Sequence, residues 1–327
     1  MKQKITLLSK FFCAALAALT LSLAFTSTQT ASAAPADFDG DGKTDFAVFR
    51  PTQNAWYILK SAGGTLSRQF GQQGDYIVPE DYDGDGKTDI AVWRSTFPVM
   101  DGPGVFYVWR SSDETLQSQQ WGTTGDGPFI AGDYDGDHKI DFAVHRRNAA
   151  GSNFWYILRS SDNTFLAMQW GADRDFPQPG DYDGDGLADF TVLRRNPSLN
   201  EPAIFYTLQS SDNTFQARQW GLGLDISVPG DYDGDGLADL AVWRSTPFTG
   251  PSTFYVQQSG GGILTQQWGT LGDKAAPGDY DGDGKTDFAV WRPTDGTFYV
   301  LKSSDGGFIF QQWGQSGDAP VAGYRIF

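Results

Sequence analysis

Beyond residue 36, apolar and polar positions alternate in short runs, and no stretch carries an apolar stripe at helical spacing. Asp287-Phe288-Ala289-Val290-Trp291-Arg292 is one such run. Thr297-Phe298-Tyr299-Val300-Leu301 is the next, and Phe308-Ile309-Phe310-Gln311-Gln312-Trp313 follows, stopped by Gly314. A fourth run, Ala319-Pro320-Val321-Ala322, closes the set. Period-two segments of aromatic and β-branched residues, bounded by Gly, Asp, Asn and Ser, predict strands joined by tight turns. The polar turn Ser303-Ser304-Asp305-Gly306 separates the second run from the third.

The same unit is written six times. Its most visible line, Asp-x-Asp-Gly-Asp-x-x-x-Asp, begins at Asp37, Asp81, Asp133, Asp181, Asp231 and Asp279, at spacings of 44, 52, 48, 50 and 48 residues. A period of this length signals a repeat architecture. Four short strands per repeat are the make-up of one propeller blade, and a lone blade cannot cover both its faces. The predicted fold is therefore all-β: a β-propeller of six four-stranded blades spanning 34–327. Only Ala34-Pro35-Ala36 precede the first acidic loop, so the first blade needs a strand from elsewhere. Residues 318–327 are the expected source, pairing into the sheet that contains residues 46–50.

The first 33 residues read as a secretory signal peptide. Lys2, Lys4 and Lys10 precede an apolar run at 11–25, and Ala31-Ser32-Ala33 supplies a small-residue cleavage pattern. Cys13 lies inside this segment, so the mature chain is expected to contain no cysteine. A secreted protein is expected, whether extracellular, surface-attached or periplasmic, with no membrane insertion after cleavage.

Charge and composition narrow the function classes. The chain has 24 Lys plus Arg against 40 Asp plus Glu, a formal charge of −16. So acidic a surface repels phosphate backbones, and no nucleic-acid partner is expected. One Cys and 2 His exclude a disulfide scaffold and a Cys/His zinc framework.

Two further residue sets recur in register. Aromatic-Gly ends the third run at Phe70, Trp121, Trp170, Trp220, Trp268 and Trp313. Sugar stacking is one use for these rings, but a residue present in every blade at one register is expected to pack between blades. An Arg follows the first run at Arg50, Arg94, Arg146, Arg194, Arg244 and Arg292, and is expected to neutralise nearby loop carboxylates or cover a blade edge.

The acidic loops carry the chemistry. Each offers side-chain oxygens at positions 1, 3, 5 and 9 and a backbone carbonyl at position 7. The six sets are Asp37, Asp39, Asp41, Lys43 and Asp45; Asp81, Asp83, Asp85, Lys87 and Asp89; Asp133, Asp135, Asp137, Lys139 and Asp141; Asp181, Asp183, Asp185, Leu187 and Asp189; Asp231, Asp233, Asp235, Leu237 and Asp239; and Asp279, Asp281, Asp283, Lys285 and Asp287. Hard oxygen ligands in a tightly curled loop suit Ca²⁺, and up to six ions are expected. Position 12 is not the Glu of an EF-hand but Val48, Val92, Val144, Val192, Val242 or Val290, already within a strand. Position 6 is Gly except at His138, which makes the third loop the odd one.

The stretch Gly-Asp-Tyr-Asp-Gly-Asp-Gly-Lys-Thr-Asp-Phe-Ala-Val-Trp-Arg at 278–292 resembles the FG-GAP/VCBS repeat, the calcium-bearing propeller repeat of integrin α-chain heads and many secreted bacterial proteins. The resemblance extends over essentially all of the mature chain. It implies calcium in the hairpin between the innermost strand and the next, and adhesion, lectin or enzyme-appended roles.

Catalytic candidates are scarce. The loops, a second recurring Asp (Asp75, Asp126, Asp175, Asp225, Asp273, Asp318) and the Ser-Ser-Asp turns account for thirty-four of the forty acids. Asp101 and Glu201 lie in longer inserts, with nothing to mark them as a glycosidase pair. His145 stands at a position where other repeats have Phe49, Trp93, Leu193, Trp243 and Trp291, and is read as a packing residue. The expected function is a non-enzymatic binding or adhesion module, monomeric, with a glycan or a surface protein as partner. A polysaccharide lyase or hydrolase on the same propeller, or a structural envelope protein, is the alternative. Inserts at 96–105, 148–153, 196–203 and 246–252 follow the same strand in their repeats, so one rim of the disc should carry specificity through residues such as Phe97, Met100 and Phe248.

Overall fold

The computed structural model describes residues 35–96, 98, 99, 101–198, 200–245 and 250–323. The signal segment, Phe97, Met100, Phe248 and residues 324–327 lie outside the described residues. Among those described, no helix is long and apolar enough to cross a membrane.

Six antiparallel sheets form the six blades of a propeller. Blade 2 shows the plan: an inner strand Tyr76–Ile77, a second strand Ile90–Ser95, a third Pro103–Trp109 and an outer strand Leu116–Thr123. The inner strand is the fourth run of the preceding repeat, so each blade joins two repeats. The acidic loop links inner to second strand, and the inserts leave the second strand at its other end. Loops and inserts therefore occupy opposite ends of the disc. Inserts pack back on their own blade: Thr124 donates to the Gly102 carbonyl, Asp173 to Gly151 and Gly223 to Glu201.

Ring closure follows the sequence expectation. Ala319–Pro320 pairs antiparallel with Phe46–Arg50, setting Val48 opposite Pro320 and Phe49 opposite Ala319. Blade 3 departs from the four-strand plan. Its inner strand shrinks to a single bridge between Gly127 and His145 beside the sheet of Phe142–Arg147, Ser152–Leu158 and Phe165–Ala172. Gly127 has no side chain to pack, which weakens strand pairing. The proline after it is not the cause, since Pro177 and Pro320 hold the same place in the intact inner strands of blades 4 and 1.

The core lies in the seams between blades. One seam joins Phe49, Trp56 and Ile58 of blade 1 to Ile90 and Val92 of blade 2, and the others repeat it. The aromatic-Gly residues belong here, as expected. Trp121 donates its indole N–H to the Tyr156 carbonyl of the next blade, Trp170 to Tyr206, Trp220 to Tyr255, Trp268 to Tyr299, and Trp313 to Tyr57 across the closure. Phe70, which has no N–H, packs edge-on against Trp109.

Candidate metal centres

Each acidic loop is curled by its own backbone. In the first loop, Gly40 N–H donates to Asp37 Oδ1 at 2.6 Å and Gly42 N–H to Asp37 Oδ2 at 2.9 Å. Asp45 Oδ2 accepts from Phe38 N–H at 2.9 Å, tying position 9 back to position 2. The other five loops repeat this last bond through Tyr82, Tyr134, Tyr182, Tyr232 and Tyr280. Left-handed backbone at position 6 is what admits the curl: Gly42 has φ 84° and His138 has φ 65°. His138 N–H still reaches Asp133 Oδ2 at 2.9 Å, and the side chain is exposed, so the third loop keeps the shape of the rest.

The serine turn between third and outer strands, read from sequence only as a polar turn, folds over each loop. Ser61, Ser111, Ser160, Ser210, Ser259 and Ser303 each donate a backbone N–H to the position-9 carboxylate at 2.7 Å. Their hydroxyls donate to the position-5 carboxylate, at 2.8 Å for Ser61 onto Asp41. A second serine reaches position 3, as in Ser112 to Asp83 Oδ2 at 2.6 Å; Ala62 and Gly260 substitute backbone N–H groups. The in-phase recurrence of Ser-Ser was the available signal.

The loops fit a divalent cation. Carboxylate oxygens of Asp37, Asp39 and Asp41 lie within 4.8 Å of one another, as do those of Asp81, Asp83 and Asp85. In the next three loops positions 1, 3 and 9 are gathered this way. Oδ1 of Asp39, Asp135, Asp233 and Asp281 is buried without a hydrogen-bond partner. A buried anionic oxygen is costly unless something positive meets it. Burial, aided by neighbouring carboxylates, pushes Asp45, Asp189, Asp239 and Asp287 up to about 6 and Asp89 and Asp141 up to about 7. An all-oxygen, multi-carboxylate set of this kind suits Ca²⁺ more than Mg²⁺, which keeps more water.

The loops also touch one another around the ring. Thr88 N–H donates to the Asp37 carbonyl at 2.6 Å, Ile140 to Asp81 at 2.9 Å, Ala188 to Asp133 and Ala238 to Asp181 at 2.7 Å, and Thr286 to Asp231 and Thr44 to Asp279 at 2.6 Å. The position-7 side chain lies over the fourth residue of the preceding loop, as Lys139 does over Gly84.

The recurring Arg does not reach the loops, contrary to one of the two sequence expectations. Its partner is the second recurring Asp, at the other end of the blade. Arg50, Arg94, Arg146, Arg194, Arg244 and Arg292 donate Nε to Asp318, Asp75, Asp126, Asp175, Asp225 and Asp273 at 2.6–2.8 Å. The carboxylates are at most 2% exposed. Each guanidinium also stacks on a third-strand tyrosine, Arg292 over Tyr299 at 4.1 Å. The antiparallel register explains this: the Arg ends the second strand beside the residue that opens the inner one, far from the loop.

Fold and loops together define a six-bladed propeller with an Asp-rich hairpin in every blade. The FG-GAP-like repeat pattern matches residues 37–92, 81–144 and 231–290, just over half of the chain, and the protein belongs to that family. No curated protein matches the chain. Among solved structures it is similar to the SapL1 lectin in complex with α-methyl fucoside, at 14% identity and a TM-score of 0.48, covering 83% of this chain and 95% of that one. It is also similar to AofleA from Arthrobotrys oligospora, at 11% identity and a TM-score of 0.47, covering 85% and 88%. A putative 6-phosphogluconolactonase from Bacteroides fragilis matches at 12% identity and a TM-score of 0.46, covering 86% and 96%.

Proposed function

We propose that this protein is a secreted, calcium-loaded propeller that binds a glycan without turning it over. One observation carries the glycan reading. Phe165, Phe215, Phe308 and Phe310 on the outer strands are each more than half exposed, at 57–61%. They sit beside the seam tryptophans: Trp121 is 5.7 Å from Phe165, Trp170 is 6.0 Å from Phe215, and Trp268 lies parallel to Phe308 at 5.4 Å. Exposed aromatic clusters at several blade edges offer flat apolar faces to water, and the C–H faces of pyranose rings are a fitting occupant. The sequence reading weighed the tryptophans and overlooked these phenylalanines.

Calcium supplies positive charge to the carboxylate loops, and millimolar calcium outside the cell suits sites of this class. Positions 1, 3, 5 and 9 would hold the ion, and the serine turns orient the same carboxylates. A glycan array with the calcium-loaded chain, followed by incubation of every bound glycan and sampling of its length, tests the reading. Binding without shortening is the expected outcome. Loss of the array signal in a Phe165→Ser/Phe215→Ser/Phe308→Ser variant that melts normally would support the seams. Shortening of any polysaccharide would make the protein an enzyme instead.

A further inference from the structure

At the end of the disc away from the acidic loops, a cavity of about 250 Å³ opens between blades 3 and 4. Gly127 and Phe129 line it from the inner segment of blade 3, His145 and Arg147 from its second strand, and Phe176 from the inner strand Asp175–Pro177 of blade 4. This is where the chain breaks its own repeat. The residue paired with position 145 in other blades is Tyr76, Phe176, Ile226, Lys274 or Ala319; here it is Gly127. Arg147 occupies a position held elsewhere by Pro51, Ser95, Arg195, Ser245 and Pro293.

The gap has a packing cause. In blade 2, Trp93 of the second strand donates its indole N–H to the Trp121 carbonyl. In blade 3, Trp155 of the third strand takes over that bond, donating to Trp170 at 3.0 Å. The second-strand position no longer needs a large ring, and the imidazole leans over Gly127 instead. A Cβ at Gly127 would fall 2.2 Å from His145 Cε1, so only glycine admits this placement. His145 Nδ1 is left buried with no hydrogen-bond partner. A buried polar atom in that state costs stability unless a partner arrives.

The remaining groups say what the partner is. Asp126 is engaged by Arg146 through both oxygens, so it adds no free negative charge. Arg147 is exposed. Phe176 has the Arg195 guanidinium 4.2 Å above its ring, which holds that wall of the cavity in place. Two phenyl walls, an imidazole nitrogen and the exposed Arg147 guanidinium suit a small anion with an apolar face. The volume is below the usual range for drug-sized ligands and matches a single ring.

We propose that this cavity binds one hexuronate residue, its carboxylate on Arg147, a ring hydroxyl on His145 Nδ1 and its apolar face against Phe129 and Phe176. The site occurs once per molecule and does not depend on glycan binding at the blade edges.

Calorimetric titration of the full chain in calcium tests it, using sodium glucuronate, sodium galacturonate, glucose and sodium benzoate as probes. A uronate binding once per chain, at least about tenfold more tightly than glucose, is expected from the charged hydrogen bond. Arg147→Gln should weaken it by about tenfold, and His145→Phe, which copies Phe49 beside Trp56 in blade 1, should abolish it. Both variants should stay folded at neutral pH and keep the wild-type glycan-array pattern, which separates this site from the seams. Absence of uronate binding, uronate binding untouched by both substitutions, or preference for benzoate over both uronates would overturn the proposal.

Discussion

Two histidines stand where the repeat expects something else, and each makes a residue-scale prediction. His138 holds a left-handed backbone that glycine occupies in the other five loops. A side chain there costs about 1 kcal/mol, so His138→Gly should stabilise the protein by about that amount in chemical denaturation. An equal or lower midpoint would show that the side chain has a compensating contact. For His145, burial first and the Arg147 charge second lower the pKa from 6.5 to about 4. The folded state thus holds a neutral imidazole that the unfolded chain would protonate. Stability from this group is full above pH 6.5 and is lost as pH falls from there toward 4, on the order of 3 kcal/mol in all. His145→Phe should therefore lose less melting temperature than wild type between pH 7 and pH 4.5. At this scale the gathering of loop carboxylates was legible, because their spacing is local. The serine hydroxyls over them were not, since that contact joins two turns about twenty residues apart.

At the scale of the strand, the Arg–Asp pair pins the inner strand to the second one. Asp225 is buried and receives Nε and Nη2 of Arg244, both at 2.7 Å, plus the Leu222 N–H at 2.8 Å. Asp225→Ala leaves that guanidinium and amide without their acceptor, and a loss of about 3 kcal/mol is expected in urea unfolding. Arg244→Ala/Asp225→Ala should cost less than the two single losses added. Additive losses would mean the two groups act separately. Strand number and order were readable from period-two runs and the phase of the loops. The Arg–Asp pairing was not, because the partners belong to adjacent repeats and meet only through strand register. The reduced inner strand of blade 3 was not read from the sequence: a single glycine, Gly127, marks it, and its consequence depended on Trp155 replacing the second-strand ring.

For the whole molecule, two rings matter: blades closed by Ala319–Pro320 and loops joined by position-8 N–H groups. Removal of residues 318–327 takes away the inner strand of blade 1, the partner of Arg50 and the Val321 N–H bond to Ala47. It should lower the melting temperature sharply, and an unchanged melt would contradict closure by this segment. If the loops hold ions, this ring of backbone bonds would couple neighbouring sites, so that six independent contributions are only a first approximation. A planar trans peptide sets its carbonyl opposite its N–H, so the position-7 carbonyl points away from the loop its neighbouring N–H contacts. An ion held by that carbonyl would polarise the peptide and strengthen the bond to the preceding loop. Asp281→Asn/Asp283→Asn should thus weaken calcium binding beyond its own loop, read as fewer than five sites at wild-type affinity in a calorimetric titration.

The most direct measurement is the melting curve with and without calcium. Six divalent ions would bring the formal charge from −16 to about −4. At ten times the dissociation constant each site contributes roughly 1.4 kcal/mol, so six contribute on the order of 8 kcal/mol, comparable to the stability of an ordinary domain. A chelator should lower the melting temperature by more than about ten degrees and open the acidic loops to protease. Identical melting curves in chelator and in millimolar calcium would contradict the claim that these loops are metal sites.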